Sequence, residues 1–308
     1  MTAADTETKA YVYKPKLVEE IVVREFNFEF PSDLNPLWVP DNPVRSHFFN
    51  GISLTMPYLE PYMVKTNHGL LSEIKHPTLL EDIKRFNAQE SAHFRCHRRI
   101  NELLKTNGYP VFAQVEQVIK RHYQRLSERK LITKLAYSAG FETMTKGFSV
   151  WITAKRRSLW KGADNVMTSF WLMHLTEEAE HKTVAFDVYM ALYGEKYLAR
   201  AWGVLHGSFG VVGLAFLGML AAMKEDRTIL NPINWWRFCL LIGSLMWNVG
   251  PYLLHAMLPW HDPRNMKDSD WIIEWIEGYK SSGEGKPMPL VDTDHPDIPV
   301  PFDNVKTY

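Results

Sequence analysis

Two short stretches carry the residue types of metal chemistry. In WLMHLTEEAEHKTVAFDVY, Trp171 to Tyr189, a helical reading puts His174, Glu177, Glu178 and His181 on one face. Side chains three, four and seven apart overlie one another on a helix. Glu178 and His181 form a Glu-x-x-His pair. Upstream, QESAHFRCH holds a second such pair, Glu90 and His93, with His97 one turn further along. Carboxylate and imidazole donors of this mix suit a pair of cations.

Each Glu-x-x-His helix needs a partner carrying one more carboxylate. Glu60 is the only acid between Asp41 and Glu73, and Glu142 the only acid between Glu128 and Asp164. A lone carboxylate among apolar neighbours is either solvated or buried with a partner. Burial unpaired costs several kcal/mol, and a bound cation removes that cost. The expected metal ligands are therefore Glu60, Glu90, His93, Glu142, Glu178 and His181, which also form the catalytic set, with two of the Glu bridging.

His97 and His174 face the same interior. Two roles are open for each: a third histidine ligand, or a hydrogen-bond partner of a ligating carboxylate, the latter being preferred. Glu177 reads better as a solvated carboxylate, and Cys96 as a packed core thiol.

Positioning these residues takes helices. Pro77 suits the first turn of a helix ending near Gly108, a shorter helix from Pro110 to Arg125 makes the crossover, and a third long helix spans Lys130 to Lys155. A fourth runs from Asp164, a good N-cap, to Gly194. The first, ending near Ser72, contains Pro57 and Pro61, so a kink or restart is expected there. Counted from the helix ends, Glu60 is level with Glu90 and Glu142 with Glu178. Two Glu-x-x-His helices, each beside a helix carrying one Glu, are the inward ligand set of ferritin-like di-iron and di-manganese bundles. The expected fold is all-α: a ferritin-like four-helix bundle with a dinuclear metal site, plus additional apolar C-terminal helices.

By domain, residues 1–42 read as an irregular or strand-like arm without chemistry, 43–195 as the metal-binding bundle, 196–260 as an apolar helical hairpin packed on the bundle or a membrane, and 261–308 as a polar tail. Ala201–Met223 and Phe238–His261 carry no formal charge, and each is long enough to cross a bilayer. Gly203-x-x-x-Gly207 suits close helix packing. His206, Asn248, Pro251 and His255 favour buried helices over spanning ones.

Composition bounds the rest. The 308 residues hold 35 basic and 35 acidic side chains, so no nucleic-acid partner is expected. Two cysteines and an N-terminus without an apolar core point to a cytoplasmic, possibly membrane-associated protein.

The runs HFFNGISLTMPYLEPYM, FNAQESAHFRCHRRIN and MHLTEEAEHKTVAFDVY resemble the bacterial family labelled "predicted metal-dependent hydrolase", over roughly Phe28 to Pro263. Where that family usually has Gly before its first Glu, this chain has Leu59, which alters packing around Glu60 and keeps the carboxylate. The label implies a two-metal hydrolase. The donor set argues instead for a non-haem di-iron oxygenase or oxidase, with two Fe ions (or Mn), O₂ as co-substrate, a hydrophobic or aromatic small-molecule substrate and an electron donor such as a ferredoxin or reductase. A non-catalytic, ferroxidase-like role is the third reading. A homodimer is expected.

Overall fold

The computed structural model describes residues 21–282 and 288–302; the first twenty residues of the expected arm lie outside them. Among the described residues all regular structure is helical. Four long helices come first in importance: α1 (Pro43–His68), α2 (Pro77–Thr106), α4 (Leu131–Trp160) and α5 (Asn165–His181). Between them α3 (Phe112–Ser127) makes the expected crossover. Short α6 (Val184–Tyr193), then α7 (Tyr197–Glu225), α8 (Pro232–Ala256) and α9 (Asp270–Ser282) complete the chain.

Local chemistry sets the ends. Asn42 and Asp164 accept hydrogen bonds from Arg45 N and Met167 N and so cap α1 and α5. Pro77 occupies the first turn of α2, where its missing N–H costs nothing. Two sequence expectations are corrected. Helix α1 runs through Pro57 and Pro61 without a break, and the Ser53 carbonyl orphaned by Pro57 accepts from Asn101 instead. The fourth bundle helix, expected unbroken to Gly194, divides after His181, and α6 starts a fresh hydrogen-bonded turn from Thr183 O to Asp187 N.

The helices form three layers. Helices α1 and α4 lie in the middle, α2 and α5 cover one face, and α7 and α8 the other. The middle pair is held to α7 by small residues. A Cβ on Gly51 would overlap the Ala215 carbonyl, one on Gly140 that of Gly203, and one on Gly203 that of Ala136. The Gly203-x-x-x-Gly207 spacing therefore serves backbone contact inside one chain. Helix α7 packs one face against α1 and α4 and leaves Leu198, Trp202 and Phe209 exposed on the other. Helix α8 is more superficial: Ile233, Trp236, Leu240, Trp247 and Leu254 are exposed on it. Helices α7 and α8 are long and apolar enough to cross a membrane by length and composition.

Residues 21–42 form no strand, yet they are not idle. Phe26 and Phe28 are buried, and their rings pack edge-on to each other and to Phe170.

Candidate metal centre

The six side chains expected at the site come from four helices and meet between the first two layers. Glu60 (α1), Glu90 and His93 (α2), Glu142 (α4), Glu178 and His181 (α5) are all buried. His181 Nε2 lies 3.4 Å from Glu90 Oε1, and its Nδ1 lies 3.2 Å from Glu142 Oε2. His93 Nδ1 is 3.8 Å from Glu178 Oε1. Donors about 2.1 Å from one ion sit roughly 3 to 4 Å apart, so these separations fit shared cations. Glu90, His93, Glu178 and His181 each offer a donor atom within 4.8 Å of the others.

Glu178 straddles the cluster. Its Oε1 faces His93 Nδ1 and His174 Nε2, the latter at 2.9 Å, while its Oε2 lies 3.9 Å from His181 Nε2. One carboxylate thus presents one oxygen to each side, the geometry of a bridge.

Buried polarity tests the fit. Both oxygens of Glu60 and of Glu90, and Nδ1 of His93, make no hydrogen bond. Such groups are costly in an apolar bundle unless a cation compensates them. Burial, reinforced by the Glu178 charge, raises Glu60, Glu90 and Glu142 well above the usual carboxylate range. Glu178 goes the other way: burial pushes it up, but His181, His174 and His93 outweigh that and bring it to about 2. The residues fit a dinuclear centre.

His174 lies within the cluster, its Nε2 also 3.8 Å from Glu60 Oε1. His97 makes no hydrogen bond to a carboxylate; its ring nitrogens face Ser53 and His174, and Glu60, His97 and His174 each offer a donor atom within 4.8 Å of the others.

Glu177 corrects the sequence reading. It is fully buried, and its Oε2 accepts from His93 Nε2 at 2.7 Å, which leaves Nδ1 of His93 free to face the carboxylates. Arg24 of the arm donates to Glu177 Oε1 at 3.2 Å and grips Glu180 with two nitrogens. Burial lifts Glu177 to about 7 even though Arg24 pulls it down. The Arg24 guanidinium also lies over the rings of Trp275 and Tyr279 in α9. The arm therefore does chemistry that the sequence did not reveal. The available signal was the run Glu177, Glu178, Glu180, whose three acids in one apolar helix demand partners. Cys96 is a buried thiol facing the Phe26 carbonyl, as expected of a core residue.

A second charge group adjoins the centre. Lys146, one turn beyond Glu142, and Lys182, next to His181, share the Asp268 carboxylate, Lys182 at 2.7 Å. Burial brings Lys146 down to about 8 against the pull of Asp268.

Beside His174 and Glu178 lies an apolar cavity of about 30 Å³, walled by Phe49, Ile52, Met56, Phe141, Met144, Phe148 and Trp171 and closed by Val211 and Val212 of α7. It has room for one water or a diatomic molecule.

An all-helical chain with this buried Glu/His cluster is of the metal-binding helical class. Residues 22–267 match the family described as "predicted metal-dependent hydrolase", and the chain belongs to it. Neither the curated proteins nor the solved structures include a match to the chain.

Proposed function

We propose that the protein is a two-metal enzyme acting on an apolar small molecule, with hydrolysis as the reaction class. The observation that carries the two-metal reading is Glu178 offering one oxygen to each half of the cluster. Glu60, Glu90, His93, Glu142 and His181 would together hold the two cations, with Glu178 facing both halves of the cluster. Membership of the hydrolase-labelled family moves the weight from the oxygen chemistry expected from ligand types alone to hydrolysis.

Bound cations would supply Lewis acidity and lower the pKa of water. The chain's own residues do the rest. Apolar cavity walls exclude bulk water, which strengthens every charge interaction inside. Burial favours the protonated form of Glu60 and Glu142, and a bound cation would take the place of those protons. Met56 and Met144, unbranched and adaptable, line the cavity and can yield to a larger substrate.

One observation favours a second reading, a di-iron oxygenase or oxidase. The cavity wall is almost wholly apolar and the donors are glutamates and histidines in a dry bundle. That reading needs iron, O₂ and an electron donor. Anaerobic turnover of aryl esters and amides by the Zn²⁺- or Mn²⁺-loaded protein is the test. Hydrolysis without air supports the first reading. A ferrous protein that changes its optical spectrum in air and hydrolyses nothing supports the second.

The surface of α7 and α8 supports a bilayer as the substrate source. Trp202, Trp236, Trp247 and Trp260 are exposed, as interfacial tryptophans are. Helix α7 is already packed on α1 and α4, so crossing a bilayer would drag the metal bundle into lipid. Resting on the surface keeps the bundle in water.

A further inference from the structure

We propose that Asn101, Ser53 and His97 are positioning residues that fix a proton on His174 Nδ1 and so make Nε2 the nitrogen that His174 presents to the centre. His174, and not His97, is then the third imidazole of the centre. The inference rests on the two-metal reading and is independent of reaction class.

The chain of reasoning starts at a proline. Pro57 has no N–H, so the carbonyl of Ser53, four residues earlier in α1, loses its helical partner. The Asn101 amide nitrogen fills the gap, donating to Ser53 O at 3.0 Å. That turns Asn101 Oδ1 toward the Ser53 hydroxyl, which donates to it at 2.8 Å. A serine hydroxyl has one proton to give. Toward its other neighbour, His97 Nδ1 at 2.8 Å, Ser53 Oγ can only accept. His97 therefore carries its proton on Nδ1.

The His97 ring is fully buried against Phe170 and Trp171, with no hydrogen bond to a carboxylate, so it is neutral and its Nε2 is an acceptor. Nε2 lies 2.9 Å from His174 Nδ1, which must donate to it. The remaining nitrogen, His174 Nε2, lies 2.9 Å from Glu178 Oε1 and 3.8 Å from Glu60 Oε1. In a neutral His174 it is the lone-pair nitrogen, and a cation shared with Glu60 and Glu178 would lie within its reach.

With Nδ1 donating to Ser53 and Nε2 accepting from His174, His97 keeps no lone pair for a cation, although it lies within 4.8 Å of a Glu60 oxygen. The centre is asymmetric. His174 lies tilted beside His93, ring centroids 4.1 Å apart, whereas His181 stands 6.4 Å from His93. One cation receives two imidazoles and the other one.

Two measurements on the full chain test this. In Zn²⁺-loaded protein labelled with ¹⁵N-histidine, two-bond ¹H–¹⁵N spectra should show His97 and His174 both protonated at Nδ1. A proton on His174 Nε2 would overturn the proposal. Co²⁺ titration with absorption spectroscopy at the metal edge then counts imidazoles. His174→Ala should lose one. Ser53→Ala and His97→Gln should keep the count but bind the weaker Co²⁺ about 10- to 100-fold less tightly, with Ser53→Thr restoring affinity. A Ser53→Ala protein that folds by circular dichroism and binds Co²⁺ as the parent does would sink the relay. So would loss of an imidazole from His97→Gln instead. Failure of the parent protein to bind Co²⁺ at all would instead strike the two-metal reading.

Discussion

Helices α1 and α4 present two unlike faces. Toward α2 and α5 they turn Glu60 and Glu142, buried acids whose charge needs compensation from outside the chain. Toward α7 they turn Gly51 and Gly140, so bare that backbones touch. The first face gains order from directed donors and the second from shape alone. The difference matters because the same two helices carry both. A displaced α7 would shift the carboxylates, and a lost cation would leave α7 in place. Packing should thus be the senior partner, and four experiments can break or sharpen that ranking.

The largest effect should come from Gly203→Leu, whose side chain meets the α4 backbone at Ala136. A loss of more than about 3 kcal/mol is expected, seen as loss of soluble protein or collapse of the melting temperature. A normal melting curve would place α7 elsewhere. Next, Glu142→Ala should fold, yet bind one metal where the parent binds two, by elemental analysis. Full stoichiometry would remove Glu142 from the ligand set.

Third is pH. Glu60, Glu90 and Glu142 have folded pKa values raised above 4.5, while buried His93, His97 and His261 are lowered below 6.5 and oppose them at acid pH. Above about pH 6.5 the histidines are neutral in both states, the metal-free fold holds the extra carboxyl protons, and its stability falls as pH rises. Thermal melts between about pH 6.5 and 8 should show the metal-free protein losing stability and the loaded one holding, with metal affinity rising over the same range. Parallel curves would mean that the acids are not the compensated charge. The smallest effect on the fold should come from Trp247→Asp on the exposed face of α8. A stability change within about 0.5 kcal/mol is expected, together with lost flotation on phosphatidylcholine–phosphatidylglycerol vesicles. Unchanged flotation, or a dimer dissolved by the substitution, would assign that face to protein and not lipid.

The carboxylate–imidazole face was readable because its signal is local. Glu-x-x-His spacing and solitary acids in apolar runs both arise within single helices, and the helix starts at Pro77 and Asp164 follow from a proline and a cap, whereas the break after His181 carries no such mark. What escaped depends on distant pairings. Arg24 lies 153 residues from Glu177, and nothing in the arm marks its destination. Solvation was the sensible default for Glu177 until a guanidinium was found against it. The Gly203-x-x-x-Gly207 spacing announces close packing but not its partner, so the preference for buried helices rested on His206, Asn248, Pro251 and His255 instead. Pro57 was noticed as a breaker, whereas its use, freeing the Ser53 carbonyl for Asn101, needs both helices in view.

Asp268 stands one residue beyond the segment shared with the family, which ends at 267. It is the carboxylate on which both Lys146 and Lys182 rest. A chain ended at Lys267 would bury two like charges with no counter-ion, one a turn from Glu142 and the other beside His181. Those ammonium groups would repel any incoming dication. Through one carboxylate the tail thus keeps the two ammonium groups nearest the centre neutralised.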